Sequence, residues 1–334
     1  MPDRCSREHV TPEPMLDIVT LRDERSSLRA GFVPAAGMLC CSLRDGDEEL
    51  LAQNAGVAAY AEQGKTMGIP LLYPWANRLA GFEYSAAGRT VRVPRDPSLV
   101  AVDGNGLPIH GVIGGRMRWE LSDEPAGEAD RRSPDKRQQL QARLGWSRAQ
   151  ASLFDVFPFH HEACFRARLH ERRLQIEVTV EACGEDHVPV AFGFHPYLSV
   201  PGVPRERWLV QLPAMSKLAL DARQLPTGSG QALPAESFEL AEREYDDGFD
   251  ELSQSARFAV TGGERRLELD FEEGYRCGQV YSPRGAEFIC FEPMTAPANA
   301  LCSHQGLRVL SPGERYRAAF ALRVSERSGP DGAH

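Results

Sequence analysis

The sequence predicts an all-β protein built as one large domain of sandwich or barrel type. Three observations carry this. First, apolar residues recur with a period of two. Leu174, Ile176, Val178 and Val180 alternate with polar residues in RRLQIEVTVEA, and Leu267, Leu269 and Phe271 do so in RLELDF. That period puts one row of side chains in a core and the other in water. Second, turn formers punctuate the chain closely, with 30 Gly and 24 Pro in 334 residues, as expected for many short strands. Third, no long amphipathic helix stands out.

The elements follow in chain order. Residues 1–15 are polar and Pro-containing (MPDRCSREHVTPEP) and read as a loose leader without the apolar core of an export signal. Residues 16–325 form the single β domain, within which RTVRVP and FRARLH repeat the alternation briefly. Residues 122–140 are charged and poor in apolar side chains, which predicts an exposed loop or a short surface helix. Residues 326–334 read as a disordered tail. No fixed-period repeat signals a solenoid or propeller.

Composition excludes several classes. An apolar share of 42% and a charged share of 25% are those of a soluble globular protein. A net charge of −9 without a basic run argues against nucleic acid or an anionic membrane as a partner. No stretch of 18 apolar residues occurs, so no helical membrane span is expected. The eight cysteines, Cys5, Cys40, Cys41, Cys164, Cys183, Cys277, Cys290 and Cys302, form no C-x-x-C pair and no close Cys/His cluster. They predict reduced thiols, a cytoplasmic protein and no metal site.

Three short motifs are decoys. GKT at Gly64–Thr66 lacks the glycine a phosphate loop needs five residues earlier, where Ala59 stands. DGNGLPIHG lacks the third glycine of a dinucleotide loop. In FHHE, His160 and His161 would face opposite sides of a strand, so a sheet-edge strand is the better reading than a metal cluster. No G-x-S-x-G elbow occurs.

Four segments resist a purely structural reading. GIPLLYPWANRLAGFEY brings Trp75, Asn77 and Arg78 together. Trp75 offers a face for stacking and Arg78 a rigid fork of donors, although Arg78 can equally serve a structural ion pair. In LPIHGVIG, His110 precedes Gly111, which allows close backbone approach. In AFGFHPYL, alternation puts Gly193, His195 and Tyr197 on one face and Phe192 and Phe194 on the other. His195 then stands off the aromatic core beside a glycine that leaves room for a ligand, and Pro196 ends the ladder. In FICFEPMTAPANAL, Glu292 closes an apolar run before Pro293, either at a strand exit or partly buried, and Asn299 shapes the loop beyond. YDDGFDEL adds Asp246, Asp247 and Asp250 around Phe249.

In their order along residues 30–325, PWANRLAGF, IHG, FGFHPYL, LPTG, DDGF, FEPMTAPANAL and LSPGERYRA resemble the aldose 1-epimerases, or mutarotases, and their galactose mutarotase-like relatives. The resemblance implies a large antiparallel β-supersandwich with few short helices. It implies interconversion of the α and β anomers of a free aldose, here an aldohexose, without metal or organic cofactor. By the resemblance His195 is the general acid and Glu292 the general base, and His110 assists. Arg78 and Asp246 would bind substrate, with Asp247 and Asp250 as neighbours competing for the aspartate's place; beside them Asn77, Trp75 and Tyr197 are candidate substrate contacts. The sole partner expected is a small sugar, on a monomer or homodimer. One departure is VEACGEDHVPV, which lacks an Asn that many members carry before H-P-Y.

Ring opening needs a base at the anomeric hydroxyl and an acid at the ring oxygen. A Glu with an ordinary pKa near ~4.3 is ionised at neutral pH and suits the base. His195 would need its pKa raised, and nearby carboxylates would do this. Two alternatives remain open. A hexose-6-phosphate 1-epimerase would draw on Arg116 and Arg118 for its phosphate, and a non-catalytic carbohydrate-binding protein would keep the pocket and lose turnover.

Overall fold

The computed structural model describes residues 16–122 and 137–326. Two antiparallel sheets dominate. The larger runs in the spatial order Glu120–Leu121, Gln139–Trp146, His161–His170, Arg173–Ala182, Arg315–Glu326, Arg265–Glu273, Ala256–Gly262, Leu209–Leu212, Glu236–Glu239. The second, hereafter the site sheet, runs Pro226–Leu233, Met215–Leu220, Tyr245–Asp250, Cys277–Ser282, Ile289–Met294, Gly193–Phe194, Leu71–Leu72, and Tyr197–Leu198 also pairs with Ile289–Met294. A four-stranded sheet (Val19–Arg22, Leu28–Val33, Leu39–Asp45, Glu48–Glu49) lies outside these two. The α-helices among the described residues, Gly56–Gln63, Ala151–Val156 and Ala300–Ser303, are short. None is long and apolar enough to cross a membrane.

The period-two rows become the core. Leu174, Ile176 and Val178 are fully buried and lie opposite Leu322, Phe320 and Ala318. From the site sheet, Phe194 meets Phe320 with ring centroids 5.0 Å apart, and Phe291 meets Phe258 at 5.2 Å. Phe194 also touches Phe165 of the larger sheet at 6.3 Å. These contacts hold the two sheets face to face, which is the sandwich arrangement with alternate residues pointing inward. The opposite face of the site sheet is left for the loops of residues 64–114.

The structure corrects several boundaries. Gln139 and Leu140 begin a strand rather than ending a loop, and Glu326 closes the last strand. The leader at 1–15, residues 123–136 and the tail from 327 lie outside the described residues. DGNG is the turn of an antiparallel hairpin, Val100–Val102 with Pro108–Val112. His161 opens a strand that is interior to its sheet, not at an edge, and His160 lies just before it. His161 is buried, its Nδ1 donates to the Phe159 carbonyl at 2.7 Å, and its Nε2 accepts from the Tyr73 hydroxyl. His160 instead pairs with Asp186.

Phe320 is fully buried at the meeting of both sheets. Phe320→Ala is therefore expected to lower unfolding free energy by about 3–5 kcal/mol, read as a reduced urea midpoint at unchanged slope.

Candidate active site

The site is organised by register. Gly193 lies opposite Met294, and Tyr197 opposite Cys290. The two pairings belong to one antiparallel register, so His195 falls opposite Glu292. Pro196 therefore interrupts the ladder instead of ending it: it lacks an N–H, yet pairing resumes at Tyr197, whose N–H donates to the Gly68 carbonyl at 2.8 Å. On the next strand Gln279 lies opposite Glu292, and Gly248 opposite Gln279. His195, Glu292 and Gln279 thus form one cross-strand row on the face turned away from Phe194 and Phe291.

The His195 Nε2 is 3.2 Å from Glu292 Oε1. Glu292 is not at a strand exit. It lies within Ile289–Met294 and is 2% exposed, and its Oε2 has no hydrogen-bond partner. His195 is 5% exposed, stacked on Tyr197 and edged by His110 and Tyr281. Gly193 does not leave room for a ligand: a Cβ there would lie 2.7 Å from the Pro293 carbonyl oxygen and 2.9 Å from the Ala76 Cβ.

Burial decides the protonation of this pair. It pushes the His195 imidazole well below its ordinary value, and His110 adds to that. It pushes Glu292 well above the carboxylate range, with Asp246 adding and Arg78 opposing. The expectation of a raised His195 and an ordinary Glu292 is thereby corrected, because loss of water outweighs the attraction between the partners. Both shifts act in one direction, favouring a neutral carboxyl beside a neutral imidazole over the ion pair. That state and the ion pair hold the same number of protons and differ by one shift along the 3.2 Å contact.

The loops supply the rest. His110 has φ of 63° and exchanges hydrogen bonds with Asn77. Its N–H donates to the Asn77 carbonyl at 3.0 Å, and its Nδ1 accepts the Asn77 N–H at 3.3 Å. The proton is thereby fixed on Nε2. Burial, with the Arg78 charge adding, pushes the His110 pKa down to about 3, so it is a neutral donor. Arg78 donates through Nε to Asp103 at 2.7 Å, and its Nη1 donates to Asn77 Oδ1 at 3.1 Å. Its Nη2 lies 3.6 Å from Asp246. Asn299 accepts the Ala80 N–H and donates its own N–H to the Arg78 carbonyl, both at 2.8 Å, which holds the Arg78 loop to the loop after Glu292.

Among the three aspartates, Asp246 is the one brought to the site. It accepts from Gln279 Nε2 at 2.6 Å. Asp247 points to the other face and pairs with Lys217 at 2.8 Å, and Asp250 accepts the Cys277 S–H at 3.3 Å. Trp75 is corrected: it is 1% exposed and packed near Tyr84, so its face is not available for stacking. Tyr197, 5% exposed, is turned against His195 rather than outward. Arg116 and Arg118 are exposed, and neither lines the clefts beside the site. One narrow cleft is lined by Asn77, Arg78, Gly248, Gln279 and Met294, among others. The other is lined by Thr66 and His110 with mainly apolar neighbours. No group of three or more metal-ligating side chains occurs among the described residues.

Two residues of this cluster escaped the sequence reading. Asp103 sits in the DGNG turn, where one oxygen accepts the Asn105 and Leu107 N–H groups and the other meets Arg78. The turn chemistry was readable, but its second partner was not. Gln279 carries no motif of its own and is found only through the register.

A two-sheet antiparallel sandwich with loops gathered over one outer face, and a buried histidine–glutamate pair at its centre, is of the galactose mutarotase-like class. A galactose mutarotase-like protein from Clostridium acetobutylicum superposes with a TM-score of 0.74 at 16% identity, over 90% of this chain and 94% of that one. The GalM/aldose epimerase homologue from C. elegans gives 0.73 at 15% identity, over 93% and 99%. In sequence, the uncharacterized protein YihR of Escherichia coli K12 is 24% identical over 303 residues, 84% of this chain and 92% of that protein. The aldose 1-epimerase family model matches residues 34–323, and the chain belongs to that family.

Gly111 has φ of 70°, and a Cβ there would lie 2.2 Å from the Tyr73 carbonyl oxygen. Gly111→Ala is expected to cost about 2–4 kcal/mol of stability in urea unfolding. Gly46 has φ of 62° with open space around it, and there Ala is expected to cost only about 1 kcal/mol.

Proposed function

We propose that the protein is an aldose 1-epimerase that interconverts the anomers of a free aldohexose by general acid–base ring opening and closure. The observation that carries this reading is the opposed His195–Glu292 pair, with Glu292 Oε2 buried and unpartnered. A carboxylate takes the proton of the anomeric hydroxyl while an imidazolium protonates the ring oxygen, and the bond from C1 to the ring oxygen breaks. Ring opening thus starts from the ion pair and ends in the neutral pair, with the open-chain aldehyde bound. Rotation about C1–C2 and reversal of both proton transfers close the ring on the other face. The pair ends each cycle as it began, so no net proton and no cofactor is consumed. The neutral state favoured by burial is the one that accompanies the open-chain intermediate.

His110 Nε2–H, Asn77, Arg78 and Asp246 would orient the hydroxyls, which a small polar substrate needs for a productive pose. An unphosphorylated sugar fits the charge balance. Arg78 is the cation lining the clefts beside the site, and Asp103 and Asp246 already face it. A phosphate dianion would add negative charge beside a lining cation that two carboxylates already engage. Catalysis is favoured over simple sugar binding because a buried pair that leaves Glu292 Oε2 and His195 Nδ1 without hydrogen-bond partners is costly to keep unless it is used.

Mutarotation of freshly dissolved α-D-glucose and α-D-galactose, followed in a polarimeter, tests the reading. Glu292→Gln and His195→Asn are each expected to lower the rate by roughly 10²–10⁴-fold. Undiminished rates in both variants would refute the assignment. Glucose 6-phosphate is expected to react more slowly than glucose.

The pH dependence has a definite sign. At low pH the pair takes up a second proton and becomes cationic; at high pH it loses its shared proton and becomes anionic. Burial opposes both charged states. kcat/KM is therefore expected to stay flat through neutral pH and fall on both sides. A single step near the ordinary histidine value of about 6.5 would contradict it.

A further inference from the structure

Thr66 is the last residue of the GKT motif. Its glycine, Gly64, closes the helix Gly56–Gln63 in the left-handed conformation (φ 71°), so the motif follows a helix instead of leading into one. Thr66 nonetheless reaches the site. Its hydroxyl is 2.6 Å from the Tyr197 hydroxyl. Tyr197 in turn lies flat on His195, with centroids 4.4 Å apart and planes 5° apart. The Tyr197 hydroxyl reaches His195 Nε2 only at 3.4 Å, out of the plane of the imidazole.

An imidazole that moves protons is commonly oriented through its second nitrogen, which donates to a carbonyl or carboxylate. His195 has no such device, since its Nδ1 is buried without a hydrogen-bond partner. Its direction is set by rings. His110 and Tyr281 meet it edge-on, each at 5.7 Å, and Tyr197 alone of the three lies parallel to it. The short hydrogen bond to Thr66 is what fixes the Tyr197 hydroxyl.

We propose that Thr66 is a positioning residue for His195: it engages the Tyr197 hydroxyl, holds the phenol parallel to the imidazole and keeps its O–H away from Nε2, the nitrogen that faces Glu292. The proposal rests on the reading of His195 as the acid. Nε2 carries either one proton or one lone pair. Without Thr66, the hydrogen-bond partner left to the Tyr197 hydroxyl is Nε2, at 3.4 Å, and buried hydroxyls find partners. A tilt of the phenol would then donate to Nε2, hold His195 in its neutral form and compete with the proton of Glu292.

Thr66→Val removes the hydroxyl and keeps the shape, whereas Thr66→Ser keeps the hydroxyl. Thr66→Val is expected to lower kcat roughly tenfold with KM within about twofold, and Thr66→Ser to restore it. Adding Tyr197→Phe to Thr66→Val is expected to raise kcat back to that of Tyr197→Phe alone, because the competing O–H is gone. A double variant slower than Thr66→Val would overturn the competition. The ¹⁵N resonances of the His195 imidazole, followed against pH without any sugar, give a readout independent of turnover. Thr66→Val is expected to shift the Nε2 resonance and its titration, and Thr66→Ser to leave them in place. An unmoved resonance in Thr66→Val overturns the positioning role. A shifted resonance in a protein without mutarotation supports that role and refutes the proposed reaction instead.

Discussion

The site depends on a single antiparallel register, the one that pairs Gly193 with Met294 and Tyr197 with Cys290. It alone brings His195 and Glu292 together from nearly a hundred residues apart in the chain, while the neighbouring register of Cys277–Ser282 sets Gln279 beside Glu292. The same two strands send Phe194 and Phe291 into the core from their other face. A one-residue slip would exchange the two faces entirely. The aromatic contacts with Phe320 and Phe258 therefore do more than stabilise the sandwich. They lock the register and so bring an imidazole opposite a carboxyl.

The loops carry a second constraint, written in backbone geometry. His110 and Asn77 both have positive φ and bond to each other in both directions. Gly111 brings its backbone against the Tyr73 carbonyl, where no side chain fits. Arg78 is held from three sides, by Asp103, Asn77 and the backbone N–H of Asn299. The cation near the buried pair is thus already committed in direction, and this preorganisation spares a ligand the cost of ordering it.

Much of this was legible in the sequence, and the parts that were not share a cause. Period-two alternation in RRLQIEVTVEA and RLELDF reports a local property, burial on one face, and local patterns gave the all-β class and the Phe192/Phe194 face correctly. Trp75 was misplaced because a tryptophan beside Asn and Arg looks the same in sequence whether it lines a pocket or a core. Gly193 was misread because a glycine's space can belong to a ligand or to neighbouring backbone, and only the positions of Pro293 and Ala76 decide. The protonation of His195 was misjudged because charge proximity can be guessed from motifs, while the extent of dehydration follows from the assembled fold. Asp103 and Gln279 needed pairings between segments far apart, which no window of sequence contains.

The alternation of His195 with Phe194 and Pro196 also limits how such a site can change over generations. Insertion or loss of one residue between Gly193 and Tyr197 would turn the imidazole into the aromatic core and a phenylalanine toward the carboxyl. Length changes within these strands are closed to gradual drift, because an even step displaces the pair and an odd one inverts it. Variation is left to the hairpin at 102–108, the loop after Glu292 and the residues around Asp246, which border Arg78 and lie outside the register that sets the pair. Diversification of substrate within such a scaffold then proceeds by exchanging rims around a fixed chemical centre.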